Sequence, residues 1–91
     1  MESDVGFDDF QRQITARFGA ADRARGVSAA VAWLTEEVGE LAQAARKGTT
    51  EDQIRELGDV LAWLASLADQ LGVTLGDAAH HHLEAHRPSS P

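Results

Sequence analysis

The chain is short and acidic, with 91 residues, 15 aspartates and glutamates against 8 lysines and arginines, and no cysteine. Its net charge of −7 argues against a nucleic acid partner, because nucleic acid is bound chiefly through lysine and arginine. The lack of cysteine excludes disulfides and thiolate chemistry, and no apolar run is long enough to span a bilayer.

The first helix is predicted over residues 7–18. Its apolar residues recur at the spacing of one helix face, and they are Phe7, Phe10, Ile14 and Phe18. Gly19 is expected to end this helix. Residues 19–27 have glycines near both ends and no sustained apolar period, so they predict a loop.

The second helix is predicted over residues 28–47. Ser28 is a suitable N-cap, and Gly48 is a suitable C-terminal glycine. Arg46 and Lys47 precede that glycine, and their charges favour the negative end of the helix dipole. The apolar stripe of this helix consists of Val31, Leu34, Val38, Leu41 and Ala45.

The third helix is predicted over residues 51–71. Thr50 followed by Gln53 forms a capping-box pattern at its start, and Gly72 is expected to end it. Its apolar stripe consists of Ile54, Leu57, Leu61, Leu64, Ala68 and Leu71.

A short fourth helix is predicted over residues 75–86 with Thr74 as its N-cap, followed by a frayed tail at 87–91. No segment alternates with period two, so the sequence predicts an all-α fold, an antiparallel four-helix bundle. We expect one domain over residues 1–91, with a small core completed by oligomerisation. The first six residues lack an apolar signal-peptide core, so we expect a cytoplasmic protein.

Four acids lie on the second and third helices at positions that mirror each other about Gly48. Glu37 and Asp59 are equally far from this glycine, and so are Glu40 and Glu56. If the two helices fold back on each other, the i,i+3 pair of one helix faces the pair of the other. Both pairs lie on the shoulders of the apolar stripes, so these side chains are expected to converge.

Such a cluster predicts a metal site. Carboxylates within a few Å of one another cannot all stay ionised unless water or a cation compensates their charge. Magnesium prefers oxygen ligands and usually keeps waters and substrate phosphates in its shell. A single i,i+3 pair of acids usually indicates a solvated helix face, whereas two mirrored pairs with few nearby basic residues favour magnesium and a phosphate substrate.

Trp33 and Trp63 obey the same symmetry and are expected to lie together one turn from the acids. Packing is the first interpretation of this pair, and a surface for the base of a nucleotide is the second. Arg55 is the basic residue nearest to the acids. It can form an ion pair with Glu56 or Glu51 instead of touching phosphate.

Two segments resemble a known signature. Glu36-Glu37-Val38-Gly39-Glu40 and Glu56-Leu57-Gly58-Asp59 look like the EExxE and ExxD motifs of the MazG-like, all-α nucleoside triphosphate pyrophosphohydrolases. The resemblance is strong over about residues 28–72. It implies magnesium-dependent conversion of ribo- or deoxyribonucleoside triphosphates to monophosphate and pyrophosphate, in a homodimer or homotetramer, and nucleotide-pool house-cleaning in many members. The related phosphoribosyl-ATP pyrophosphohydrolases share the acid pattern, so that substrate stays open.

The resemblance also implies roles for individual residues. The implied metal ligands, for Mg²⁺ or alternatively Mn²⁺, are Glu37, Glu40, Glu56 and Asp59. The implied catalytic residues are Glu36 and Glu37, with Glu36 orienting or deprotonating the attacking water. Arg46 and Lys47 lie ~10 Å beyond Glu40 at ~1.5 Å per residue, so they are expected to meet the outer phosphates. The candidate substrate contacts are therefore Trp33, Arg46, Lys47 and Trp63.

Two hypotheses from different classes remain open. The first is a magnesium-dependent nucleotide pyrophosphohydrolase. The second is a noncatalytic helical module that keeps the acids for metal-stabilised dimerisation or for sensing nucleotides. A di-iron bundle is disfavoured, because such sites typically use Glu-x-x-His on two helices, whereas the i+3 partners here are Glu40 and Asp59.

Overall fold

The computed structural model describes residues 4–88, which form four α-helices and no strand. The helices are α1 Phe7–Arg25, α2 Val27–Lys47, α3 Thr50–Leu71 and α4 Leu75–Ala85. The all-α prediction is therefore confirmed. Within the predicted tail, residues 87 and 88 have no regular secondary structure, and residues 89–91 lie outside the described residues. No described helix is both long and apolar enough to cross a lipid bilayer.

The predicted loop over residues 19–27 is wrong, because α1 continues through Gly19 to Arg25. Gly19 is buried, and a Cβ at this position would lie only 3.0 Å from the Arg23 guanidinium. This glycine therefore marks a tightly packed helix face. The helix ends at Arg25, and the following Gly26 has a positive φ of 93°, which glycine adopts more readily than other residues.

Two polar contacts hold the last turns of α1 against α3. The Ser66 hydroxyl donates to Asp22 Oδ2 at 2.8 Å in a buried hydrogen bond, and the Arg23 guanidinium donates to Asp69 Oδ2 at 2.8 Å. A buried carboxylate that lost such a partner would carry an uncompensated desolvation cost. Tertiary contacts thus extend α1 beyond the end that local pattern predicted.

The start of α2 differs from the prediction, whereas its end at Lys47, just before Gly48, is as predicted. The helix begins at Val27 with Gly26 at the N-cap position, so Ser28 lies inside the first turn and caps nothing. Gly48 follows the helix with extended backbone, at φ −89° and ψ 170°, rather than in a left-handed conformation. A glycine is needed there for space, since a Cβ would lie 2.8 Å from the Ala44 carbonyl oxygen.

The capping box of α3 is displaced by one residue from the predicted one. Thr49, not Thr50, is the N-cap: its hydroxyl accepts from the Asp52 N–H at 3.1 Å, and its own N–H donates to Asp52 Oδ2 at 3.0 Å. Gln53 instead donates to the Ala44 carbonyl at 3.0 Å. The Ala44 carbonyl also accepts from the Gly48 N–H at 2.8 Å, so the Gln53 side chain adds a second bond there that links the start of α3 to the end of α2.

The start of α4 follows the prediction. Gly72 ends α3 in the left-handed conformation, at φ 75°, and the Thr74 hydroxyl accepts the N-capping hydrogen bond of α4 at 3.0 Å. The helix ends at Ala85, so the predicted end at residue 86 is one residue too late. α4 packs against α1 and α3.

The helices pack around a hairpin of α2 and α3, which run antiparallel on either side of Gly48 and Thr49, with α1 mainly against α3. The buried apolar residues are few and mostly small, namely Ile14, Ala30, Ala44, Ala65 and Ala68. No large side chain in the described part of the chain is completely buried. The α3 stripe stays largely open to solvent, with Ile54 at 66% and Leu57 at 50% exposure.

Candidate metal centre

The hairpin brings three of the four predicted ligands together. Glu37 comes from α2, and Glu56 and Asp59 come from adjacent turns of α3. One carboxylate oxygen of each residue lies within 4.8 Å of the other two. Glu37 and Glu56 are half-buried and Asp59 is exposed, so this acid cluster opens to solvent on the Asp59 side.

Two oxygens of the acid cluster are buried without a hydrogen-bond partner, and they are Glu37 Oε2 and Glu56 Oε2. Leaving a buried charged oxygen unpaired is costly, and almost all such atoms in folded proteins have a partner. A cation between the two helices would satisfy both atoms. Carboxylate oxygens are the donors that hard divalent cations such as magnesium prefer, so the residues present fit this metal.

Burial and neighbouring acids raise the pKa of Glu37 from 4.5 to about 7. The largest cause is desolvation by burial, which disfavours the charged carboxylate. The neighbouring Glu40 raises the pKa further, as do the negative charges of Asp59 and Glu56. Glu37 is therefore only partly ionised at neutral pH unless a positive charge is bound nearby.

The remaining two acids of the motif lie outside this trio. Glu40 is exposed and close enough to Glu37 to raise the pKa of Glu37, but it is not one of the three converging acids. Glu36 is also exposed and is not one of the three converging acids. It lies one position before Glu37 in the motif, with its carboxylate accessible to water.

The two tryptophans stack on each other across the hairpin. The ring centroids of Trp33 and Trp63 are 5.8 Å apart and the ring planes differ by 10°, which confirms the prediction that they lie together. Trp33 is 46% exposed and Trp63 is half-buried. The pair lies one helical turn beyond Glu37 and Asp59, on the side away from Gly48.

A cavity of about 370 Å³ opens where α2 ends and α3 begins, and we call it the hairpin cavity. Glu40 and Glu56 form part of its wall, so it adjoins the acid cluster. Lys47 and Arg55 are the cations that line it, whereas Arg46 is exposed and does not. Of the two cations at the end of α2, Lys47 is thus the one that shares a cavity with the acids.

The comparison with known protein families agrees with this geometry. The sequence profile of the MazG nucleotide pyrophosphohydrolase domain matches residues 25–86, which is more than half of the chain. The chain belongs to the MazG nucleotide pyrophosphohydrolase family. The matched span contains α2, α3 and α4, and therefore Glu36, Glu37, Glu40, Glu56, Asp59 and both tryptophans. None of the curated proteins compared with the chain matches it.

The sequence of this MazG-family chain does not predict that α1 forms a cavity next to the acid cluster. A second cavity, of about 320 Å³, lies between α1 and α3 and reaches Asp59 and Trp63. We call it the α1–α3 cavity; α1 contributes Phe18, Asp22 and Arg25 to it. The Arg25 guanidinium donates to Asp22 Oδ1 at 3.0 Å. This i,i+3 spacing of opposite charges is typical of a helix, and it is the signal in the sequence that argues against a loop at residues 22–25.

Proposed function

We propose that the chain is a magnesium-dependent pyrophosphohydrolase that converts ribo- or deoxyribonucleoside triphosphates to monophosphate and pyrophosphate. Family membership supports the class of reaction. The observation that carries the metal requirement is the pair of buried oxygens on Glu37 and Glu56 that lack any partner. An all-oxygen ligand set favours Mg²⁺, with Mn²⁺ as the alternative.

In the proposed reaction a water oxygen attacks the α-phosphorus and forms a new P–O bond. The bond from that phosphorus to the α,β-bridging oxygen breaks, and pyrophosphate leaves with the bonding electrons. Glu36 is the proposed acceptor of the water proton because it is the first acid of the motif and its side chain is exposed to water. Glu37, Glu56 and Asp59, with Glu40 as the proposed fourth ligand, would hold the cation, which when bound supplies charge neutralisation at the phosphate oxygens.

The two cavities support one orientation of the substrate. The α1–α3 cavity is lined by Trp63 and Phe18 and adjoins Asp59, which suits the flat, apolar faces of a nucleobase. The hairpin cavity holds Lys47 at the other end of the cluster, which suits the outer phosphates. Contacts from Trp33 and Arg46, a role in nucleotide-pool cleaning and a cytoplasmic location remain predictions.

We also propose that two or four copies of the chain associate. The exposed α3 stripe, which includes Ile54, Leu57 and Leu61, would be buried against a second copy presenting the same stripe. Sedimentation velocity should then give a mass of at least two chains for the wild type. Leu57→Glu should shift the protein toward a single chain, because it places a charge in that contact. A monomeric wild type would contradict this proposal.

The proposed activity is tested by measuring pyrophosphate release from a panel of ribo- and deoxyribonucleoside triphosphates with magnesium. Wild type should release pyrophosphate and monophosphate in equal amounts. Asp59→Asn should reduce the rate by ~100-fold or more, because a loss of ~3 kcal/mol in transition-state stabilisation slows a reaction by that factor. Asp9→Asn is the matched control, because Asp9 is an exposed acid at the start of α1. It should leave the rate unchanged.

Two other outcomes would change the assignment. If wild type releases no pyrophosphate from any nucleotide but is stabilised by magnesium, the noncatalytic metal-binding or nucleotide-sensing module becomes the better description. If Asp59→Asn is as active as wild type, the acid cluster is not the catalytic metal site.

A further inference from the structure

The positively charged side chain of Arg55 also lines the hairpin cavity, and the proposed reaction gives it no role. Arg55 immediately precedes Glu56 on α3, and its guanidinium lies 3.0 Å from Asp52 Oδ1 and 3.7 Å from Glu56 Oε1. It therefore stands between the capping box of α3 and a candidate metal ligand. Lys47 lines the same cavity from the end of α2.

Asp52 fixes the direction of Arg55. One carboxylate oxygen of Asp52 accepts from the Thr49 N–H at 3.0 Å and the other accepts from Arg55 at 3.0 Å. The same contacts, first the backbone hydrogen bond to Thr49 and then the Arg55 guanidinium, lower the pKa of Asp52. The carboxylate is thus ionised and held at the helix start, and its partner is directed into the cavity.

A purely structural ion pair does not account well for this arrangement. The Arg55 side chain is 57% exposed, and ion pairs at such exposure contribute little to stability. The guanidinium also has five donors, of which the contacts to Asp52 and Glu56 use only some. The remaining donors are available to an anion in the hairpin cavity.

The charges of the cavity wall specify which anion. Three acids, Glu40, Asp52 and Glu56, face two cations, Lys47 and Arg55, so a free anion meets a net negative wall. An anion that arrives together with a divalent cation does not, because the acids bind the cation. The volume of about 370 Å³ lies within the range of small-ligand sites.

We propose that Arg55 binds the pyrophosphate half of the substrate in the hairpin cavity, jointly with Lys47, and that Asp52 positions Arg55 for this contact. The inference rests on the proposed hydrolysis of nucleoside triphosphates and assigns the outer phosphates to this end of the hairpin. A guanidinium offers parallel N–H donors to phosphate oxygens, a geometry that lysine cannot reproduce. Pyrophosphate and magnesium bind together, each raising the affinity of the other.

The test is titration calorimetry of inorganic pyrophosphate into the full-length protein in the presence and absence of magnesium chloride. Wild type should bind pyrophosphate with magnesium and much more weakly without it. Arg55→Gln should weaken binding by ~10- to 100-fold, the effect of losing charge-assisted hydrogen bonds. Arg55→Lys should fall between the two, because it keeps the charge and loses the paired donors.

Arg12→Gln is the matched control. Arg12 also follows an aspartate by three residues in the first turn of a helix, pairing with Asp9 at 3.4 Å, but on α1. It should bind pyrophosphate like wild type. The rise in melting temperature caused by magnesium alone is measured in parallel, and Arg55→Gln should retain it because its acid cluster is intact.

The outcomes separate this inference from the proposed hydrolysis. Arg55-dependent binding of pyrophosphate with magnesium supports the subsite even if no nucleotide in the panel is hydrolysed. Wild-type affinity in Arg55→Gln, or no binding by wild type, overturns it. Loss of the magnesium-induced shift in Arg55→Gln also overturns it, since Arg55 would then act by orienting Glu56.

Discussion

Replacing Glu37 by glutamine is expected to abolish pyrophosphate release and at the same time to raise the melting temperature of the metal-free protein. Activity is lost because the variant lacks one carboxylate of the acid cluster. Stability rises because the variant also lacks the charge that burial and Glu40, Asp59 and Glu56 disfavour. Each ~1 kcal/mol gained corresponds to roughly 4–8 °C for a domain of this size. Differential scanning calorimetry with a chelator at pH 8 measures the shift.

Glu36→Gln is the matched control for stability. Glu36 is the adjacent motif acid, but it is exposed and lies outside the converging trio, so its substitution should leave the metal-free melting temperature nearly unchanged. A destabilised Glu37→Gln protein would mean that Glu37 is held by a favourable partner in the metal-free state. That result would contradict the interpretation of its orphaned oxygen as a metal ligand.

The convergence of the acids could be predicted because it follows from two local regularities. Residues at i and i+3 share a helix face, and a short connection folds the two helices back antiparallel. With Gly48 at the connection, these regularities place Glu37 near Asp59 and Trp33 near Trp63, as the structure shows. Neither step requires knowledge of distant contacts.

The extent of α1 could not be predicted in the same way. A glycine inside a helix lowers local helix propensity, so the local pattern predicts a helix end at Gly19. In the structure the buried Asp22–Ser66 hydrogen bond and the Arg23–Asp69 ion pair favour continuation of the helix. Both partners lie on α3, and a pattern that is read along the chain does not contain them.

The local pattern also does not determine what the apolar stripes pack against. Periodicity shows that Leu57 and Leu61 share a face, but not whether that face meets the same chain or another one. In the single chain this face is exposed, at 50% and 37%, while the neighbouring Glu56 is half-buried toward α2. The charged edge of α3 therefore faces the hairpin, and the apolar stripe stays available for the proposed association.

Titration of Glu37 is expected to lower the free energy of unfolding of the metal-free protein as the pH rises from about 4.5 to about 7. Above that range Glu37 should contribute no further change. The pKa of Glu37 is about 7 in the folded chain, against 4.5 for an ordinary glutamate. Between these values the folded state binds more protons than the unfolded state, so raising the pH favours unfolding. Thermal unfolding in chelator at several pH values measures the slope, which Glu37→Gln should reduce.

Magnesium should oppose this loss, and its effect should itself depend on pH. A ligand that binds only the folded state raises stability by about 2.7 kcal/mol at 100 times its Kd. At pH 8 the cation meets an ionised Glu37, whereas at pH 5 it must displace the proton, so the rise in melting temperature should be larger at pH 8. An equal rise at both values would mean that magnesium binds away from Glu37, and the buried oxygens of the hairpin would then need another partner.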